Sequence, residues 1–221
     1  MSGEDLQGVP LFKDLLPNEI ELFMKFTGTT VREYPRGERV LEAFMPNAKI
    51  GVIVSGEAQI LSLDRLGNET VGHSLESGAM FGTTSAILGE DLIAVSVQLT
   101  TDAVIMWVPY RSLLIAGPKL GRMHGIVMKN FLETFSRKNL LMMQKVELLS
   151  QKNLRERIIL YLLQRERRQQ SELVKVPGRV QLAKELECNR SSLTREISLM
   201  QADGLVEVGD HWMRLNKDKL S

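Results

Sequence analysis

The chain contains a single cysteine, Cys188, in 221 residues. That excludes an intrachain disulfide framework and leaves too few thiolates for an iron–sulfur cluster held by one chain. No apolar run approaches the roughly 20 residues needed to span a bilayer. The opening residues, MSGEDLQGVP, are acidic rather than signal-like, so a cytoplasmic protein with no membrane partner is expected. Metal-spaced His/Cys sets, a nucleophile elbow and a phosphate-binding glycine loop with lysine are all missing, which argues against an enzyme and against a bound metal. Lysine and arginine are absent from residues 66–110. The positive charge lies further on: residues 111–221 hold 21 Lys+Arg against 12 Asp+Glu, whereas residues 1–110 hold 7 against 15, a division that the overall +1 conceals. A basic half suits a polyanion, and an acidic half needs another job. With 43% hydrophobic and 25% charged residues, the chain can bury two modest cores.

The most informative stretch is residues 180–208, VQLAKELECNRSSLTREISLMQADGLVEV. Leu182, Ala183 and Leu186 recur at helical spacing, and the small Ala183 lets a second helix cross close by. Asn189 stands where it can cap the next helix. That helix sends Leu193, Ile197 and Met200 inward, while Arg190, Ser191, Ser192, Thr194 and Arg195 gather on its opposite, N-terminal side. Two guanidinium forks and three hydroxyls at a helix start suit a major groove, although the same pattern alone also describes a solvated surface helix. The continuation favours the groove. Ala202-Asp203-Gly204 ends the helix, and residues 205–208 and 212–215 alternate around Gly209-Asp210-His211 as a hairpin, which makes a winged helix-turn-helix.

Nearer the N-terminus, Ile20, Leu22, Phe23 and Phe26 suit a short amphipathic helix over residues 17–26. Alternating segments then recur at 40–43, 50–54, 58–63, 70–74, 94–99 and 103–108, between turns bearing Gly37, Gly56, Gly67 and Gly78. Strands this short and evenly spaced predict an antiparallel β-roll of the cupin-like jelly-roll kind, with an interior able to hold a small ligand. From 118 to about 149 a long helix takes over, with no Pro or Gly after Gly125 to interrupt it. Met128, Phe135, Met142 and Leu149 recur every seven residues with Leu132 and Val146 between them, beside a second stripe of Val127, Phe131, Thr134, Leu141 and Leu148. Two stripes predict two partners, the chain's own roll and the same helix of a second subunit; burial between two domains of one chain is the alternative. Val127, Met128, Phe131, Phe135, Asn139 and Met142 are the expected dimerisation residues, with Asn139 setting the register. The expected fold is therefore α+β: a β-roll sensor domain over 1–117, a long dimerisation helix and hinge over 118–150, and a winged-helix DNA-binding domain over 151–221.

The segments YPRGERV, GVIVSGEAQI, LESGAMFG, KNLLMMQKVELLS, RERIILYLL and ECNRSSLTREI follow one another in that order. In these the chain resembles the Crp/Fnr family of transcription regulators over nearly its whole length. The resemblance implies bacterial origin, a cyclic-nucleotide-binding-like roll, homodimeric binding of double-stranded DNA at a near-palindromic site, and contact with RNA polymerase where the protein activates. It also implies base-reading or phosphate contacts for Arg190, Ser191 and Arg195, with Ser192 and Thr194 beside them.

The departures from the family pattern carry information of their own. Nucleotide-responsive members have a Gly-Glu pair opening a short helix and then an arginine that holds the cyclic phosphate. Here Thr83 follows Gly82, Ile93 stands near the arginine's place, and His73 is the only possible cation nearby. Without a guanidinium, a phosphate loses bidentate charge-assisted bonds, which are about twice as strong as neutral ones. Cyclic AMP is therefore not the expected effector, and no cofactor is assigned. Thr83, Thr84 and Ser85 read as a plain helix cap, with anion binding at a helix start as the alternative. Met80, Phe81, Gly82, Thr83, Thr84, Ser85 and Met128 are the expected lining for an apolar or aromatic effector, unless the protein takes none. His73, His124 and the 11 methionines stand isolated, as packing residues do, rather than as haem ligands.

Two departures concern DNA. Ser191 stands where nucleotide-responsive relatives often have glutamate, so their operator is not implied. Glu187 stands at a turn position where glycine is usual, and a non-glycine residue at positive φ costs on the order of 1 kcal/mol. Cys188, in the same turn, reads as a small packing residue. Lys152, Arg155, Arg157, Arg165, Arg167 and Arg168, with Glu156 and Glu166 interspersed, are expected to solubilise an exposed face through i,i+4 pairs, some of them touching phosphates. A signalling subunit whose winged helix contacts protein instead of DNA is the alternative function.

Overall fold

The computed structural model describes residues 1–64, 66–89, 94–115, 117 and 120–220. Ile93 and the expected helix start at residue 118 lie outside the described residues. The chain divides into two compact units, residues 1–135 and 136–221.

The first unit opens with helix α1 (Pro17–Thr27). Pro17 brings the preset φ of a first helical residue, and the Glu19 carboxylate accepts the Leu16 amide at 2.9 Å. Strands β1 (Thr30–Tyr34), β2 (Arg39–Leu41), β3 (Lys49–Ser55), β4 (Ala58–Leu63), β5 (Glu69–Leu75) and β6 (Met80–Phe81) follow, then helix α2 (Thr83–Leu88), strands β7 (Val95–Leu99) and β8 (Ala103–Pro109), and helix α3 (Tyr110–Leu114). They form two four-stranded antiparallel sheets, ordered β1-β8-β3-β6 and β2-β7-β4-β5.

The first of these sheets is buried on both faces. Along β8, Ala103, Ile105 and Trp107 enter the roll interior with Ile53 and Phe81. Met106 and Val108 point the other way, into a core shared with Ile50, Val52 and Met80. This is the period-two alternation of a strand, and because both faces are covered the sequence reads as unbroken apolar runs. The outer core is completed by Ile20, Phe23 and Leu113 and by Met123, Val127 and Phe131 from the start of the long helix α4 (Gly121–Leu149). Buried Asn130 on α4 donates to the carbonyls of Leu11 and Lys13 at 3.1 and 2.7 Å, which ties down the N-terminal segment.

The expected strands are present, and β1 and β6 are additional. β1, TVREY, carries little apolar alternation because it is an edge strand paired only with β8, and β6 is two residues long.

The second unit contains the last turns of α4, helix α5 (Leu154–Gln169), strand β9 (Val174–Lys175), helices α6 (Arg179–Glu185) and α7 (Arg190–Ala202), and strands β10 (Val206–Val208) and β11 (Trp212–Leu215). Asn153 caps α5 by accepting the Glu156 amide at 2.9 Å. The strands form an antiparallel sheet ordered β10-β11-β9, so the wing has a third strand that its two-residue length hid in the sequence. Leu148, Ile158, Leu162, Leu182, Leu186, Leu193, Ile197, Met200 and Met213 fill one core. At the wing's turn the Trp212 indole lies flat on Gly209, where a Cβ would come within 2.1 Å of the ring.

Candidate nucleic-acid interface

Helix α7 has the two sides its sequence predicts. Leu193, Ile197 and Met200 are buried, at 0%, 2% and 0% exposure, and they anchor the helix to the core. Arg190, Ser191, Ser192, Thr194 and Arg195 are all exposed on the other side. Asn189 is the N-cap residue by its extended backbone, but its side chain makes no capping bond; the predicted cap is a backbone feature only, which leaves the amide free to face outward. The Thr194 hydroxyl donates to the Arg190 carbonyl at 2.9 Å, so its proton is spent within the helix and it can offer a partner only lone pairs. Among the described residues, neither Arg190 nor Arg195 has a hydrogen bond or an ion pair through its side chain.

The basic residues of α5 behave differently from the expectation of local i,i+4 pairs. Arg155 reaches across to α7, with Nε 2.7 Å from Glu196 and Nη1 2.6 Å from Asp203. Arg157 donates to the Leu186 carbonyl at 2.8 Å, and Arg165 meets the Glu185 carboxylate at 2.9 Å while lying over the Tyr161 ring. Their partners lie on other elements, so these arginines orient the helix-turn-helix rather than merely solubilise a face. Lys152 and Arg167 have no ion pair among the described residues and remain exposed.

The environment shifts several groups. Burial works to raise the Glu185 carboxyl, but the Tyr161 hydrogen bond and the Arg165 guanidinium outweigh it and hold the group below the usual carboxylate range. Burial and the same hydrogen bond push the Tyr161 phenol well above its ordinary value. Burial also raises the Cys188 thiol, against the opposing charge of Arg157, so the half-buried sulfur stays protonated and packs as a small apolar group. Glu187 adopts φ 49°, the left-handed conformation foreseen for the residue in the glycine's place.

The proposed effector lining does not form one cavity wall. Met80 and Phe81 are neighbours on a strand and face opposite ways, Met80 into the outer core with Met128 and Phe81 into the roll interior. Phe81 packs edge-on against Trp107 at 5.4 Å between centroids, and Gly51 makes room for it: a Cβ there would lie 2.2 Å from the ring. Gly82, at φ 68°, is the N-cap of α2, so Thr83, Thr84 and Ser85 form the first turn and not the cap. Asn47 donates to the Gly82 carbonyl and the Ser85 hydroxyl, both at 3.1 Å, and Thr83 and Ser85 are buried while Thr84 is exposed. The His124 imidazole is 2.7 Å from the Leu113 carbonyl, a packing role in place of a haem ligand's. Among the described residues, no group of three or more His, Cys, Asp or Glu could hold a metal ion.

The two stripes of α4 separate. Val127 and Phe131, expected as dimerisation residues, are 0% and 5% exposed in the first unit's own core and so cannot serve a partner. Met128 is half-buried against the same core. Leu132, Phe135, Met142 and Val146 are 55%, 42%, 61% and 69% exposed, and Asn139 lies exposed among them. The sequence gave no sign of which stripe faces inward, since both are equally apolar.

Residues 31–115 match the cyclic nucleotide-binding domain family. Across both units the chain is similar to the catabolite activator protein of Thermus thermophilus, with 22% identity over 96% of this chain and 95% of that one and a TM-score of 0.53. The chain has the Crp/Fnr fold. The c-di-GMP-responsive global regulator CLP of Xanthomonas campestris aligns with it at 21% identity over 90% of this chain and 98% of that one, with a TM-score of 0.54. The regulator CprK in complex with OCPA aligns at 10% identity over 89% and 88%, with a TM-score of 0.61. No curated protein matches by sequence. Within the Crp/Fnr fold, α6 and α7 are the helix-turn-helix, β10 and β11 the wing, and α4 the long helix. No helix among the described residues is long and apolar enough to cross a membrane.

Proposed function

We propose that this protein is a DNA-binding transcription regulator that acts as a homodimer and reads a near-palindromic operator with the exposed side of α7. The observation that carries this reading is the pair Arg190 and Arg195, solvent-facing and unpartnered at the front of a helix whose opposite side is buried, in a unit whose other arginines include several held by carboxylates or carbonyls. Guanidinium groups free to form bidentate bonds to guanine, beside hydroxyls that reach phosphates or base edges, are the chemistry of major-groove reading. The exposed stripe of Leu132, Phe135, Asn139, Met142 and Val146 supports pairing of two long helices. The cytoplasm is the compartment where such a protein meets its operator, and contact with RNA polymerase follows where it activates.

The effector we propose is not cyclic AMP. The described residues between 66 and 110 hold no guanidinium or ammonium to meet a cyclic phosphate, and Phe81 with Trp107 fills part of the roll interior with aromatic surface. An apolar or aromatic compound suits that interior better than an anion.

Selection of binding sites from random duplex DNA with the purified protein, with and without a small-metabolite extract, tests the reading. The expected product is a dyad-symmetric site whose affinity falls steeply with salt. Duplex binding that is absent, or indifferent to salt, would instead favour a winged helix that contacts protein.

A further inference from the structure

The end of α6 is completed by a residue of the long helix. A helix leaves its last four carbonyls without partners in the helix itself; here they belong to Ala183, Lys184, Glu185 and Leu186. The chain's own turn satisfies two of them: the Cys188 amide donates to Ala183 at 3.0 Å and the Glu187 amide to Lys184 at 3.2 Å. That pairing is a Schellman turn, whose left-handed position glycine normally fills. Glu187 fills it here, at φ 49°. The remaining two carbonyls are met by cations from elsewhere. Lys145 Nζ donates to Glu185 at 2.7 Å, and Arg157 Nη1 donates to Leu186 at 2.8 Å. Lys145 Nζ also lies 3.1 Å from the Glu187 carboxylate, so one ammonium holds both the helix end and the strained residue's side chain. Both cations sit at the negative end of the α6 dipole, where positive charge is stabilised.

We propose that Lys145 is a positioning residue for DNA recognition. From α4, with Arg157 of α5, it completes the end of α6 and holds Glu187 left-handed, so that the chain leaves the turn in the direction α7 needs to present Arg190 and Arg195. A glycine would adopt this turn unaided. The glutamate makes the turn depend on the long helix, because its side chain supplies the grip that Lys145 uses.

The inference rests on the DNA-binding reading for its affinity readout, and the test separates the two. Wild type, Lys145→Met, Lys145→Arg and the double variant Lys145→Met/Glu187→Gly are compared on the selected duplex over a salt series, with amide hydrogen exchange followed at Glu187 and Cys188. Lys145→Met is expected to weaken binding about fivefold or more. The slope of affinity against salt should stay unchanged, because no phosphate contact is lost. The two amides should exchange faster. Lys145→Arg should keep most of the affinity, and the glycine variant should restore both affinity and protection without the lysine. A salt slope reduced by about one would make Lys145 a phosphate contact and overturn the proposal. Unchanged affinity and exchange in Lys145→Met, or failure of glycine to rescue, would overturn it too. If wild type binds no duplex, the regulator reading fails, and the exchange rates with their glycine rescue still decide the positioning role. If Lys145→Met alone does not fold, recovery of the fold in the double variant supports the proposal and its absence counts against it.

Discussion

At the scale of single residues, charge does two different jobs in the second unit. Arg155, Arg157 and Arg165 are committed to groups on other elements, while Arg190 and Arg195 are left free. Arg195→Ala should therefore cost about 1–3 kcal/mol of operator affinity and relax preference at one base position, as read by competition among operator variants. An alanine variant with wild-type affinity and selectivity would take Arg195 out of the reading set. Glu185 gives a pH test. Its carboxyl is held below the ordinary range in the fold, so its ionised form contributes stability that is fully present above the unfolded value of about 4.3 and is lost as pH falls through the lower, folded value. The melting temperature of wild type should fall over that acid window more steeply than that of Glu185→Gln; parallel curves would mean that the Tyr161 and Arg165 contacts do not favour the anion. The sequence displayed the free arginines plainly, because a helix with Leu193, Ile197 and Met200 inside must put its other residues outside. It could not display the committed ones: Arg155 bonds across 41 and 48 residues to Glu196 and Asp203, and nothing local marks such a pairing.

Among the elements, the roll's first sheet owes its packing to three neighbouring positions. Phe81, Gly51 and Trp107 stand side by side on β6, β3 and β8, and the phenyl ring covers the glycine. Gly51→Val should destabilise the protein by about 1–3 kcal/mol in denaturant unfolding, since the added methyls meet the ring with little room to shift. A stability equal to wild type would show that Phe81 has another place to go. The strands of this sheet were legible because continuous apolar runs bounded by glycine turns leave few other readings. β1 was not legible, since an edge strand with one exposed face and polar residues looks like a loop until β8 supplies its hydrogen bonds. The effector lining was misjudged for a related reason: Met80 and Phe81 are adjacent in sequence, and adjacency in a strand sends side chains to opposite faces.

For the whole molecule, the exposed stripe of α4 predicts the oligomeric state. Val146→Glu places like charges against one another at a paired seam, at a position 69% exposed in the single chain, so the fold should survive while the dimer dissociates in sedimentation equilibrium and operator binding falls. A wild-type protein that sediments as a monomer would remove the seam. On DNA, the intact dimer should protect two half-sites about 34 Å apart. The heptads that announced the helix run through it without a break, and for that reason they hid where the chain divides. The division falls at residues 135 and 136, inside the helix and not at either of its ends.

That location has a mechanical consequence. Leu148 is sunk in the winged-helix core, and Gln164 holds the Gln144 carbonyl and the Glu147 carboxylate, so the last turns of α4 are a stub fused to the reading head. A twist given to that stub has no compliant joint in which to dissipate before it reaches Arg190 and Arg195. Whatever alters how two such stubs lean on each other is thereby delivered, undiminished, as a change of aim.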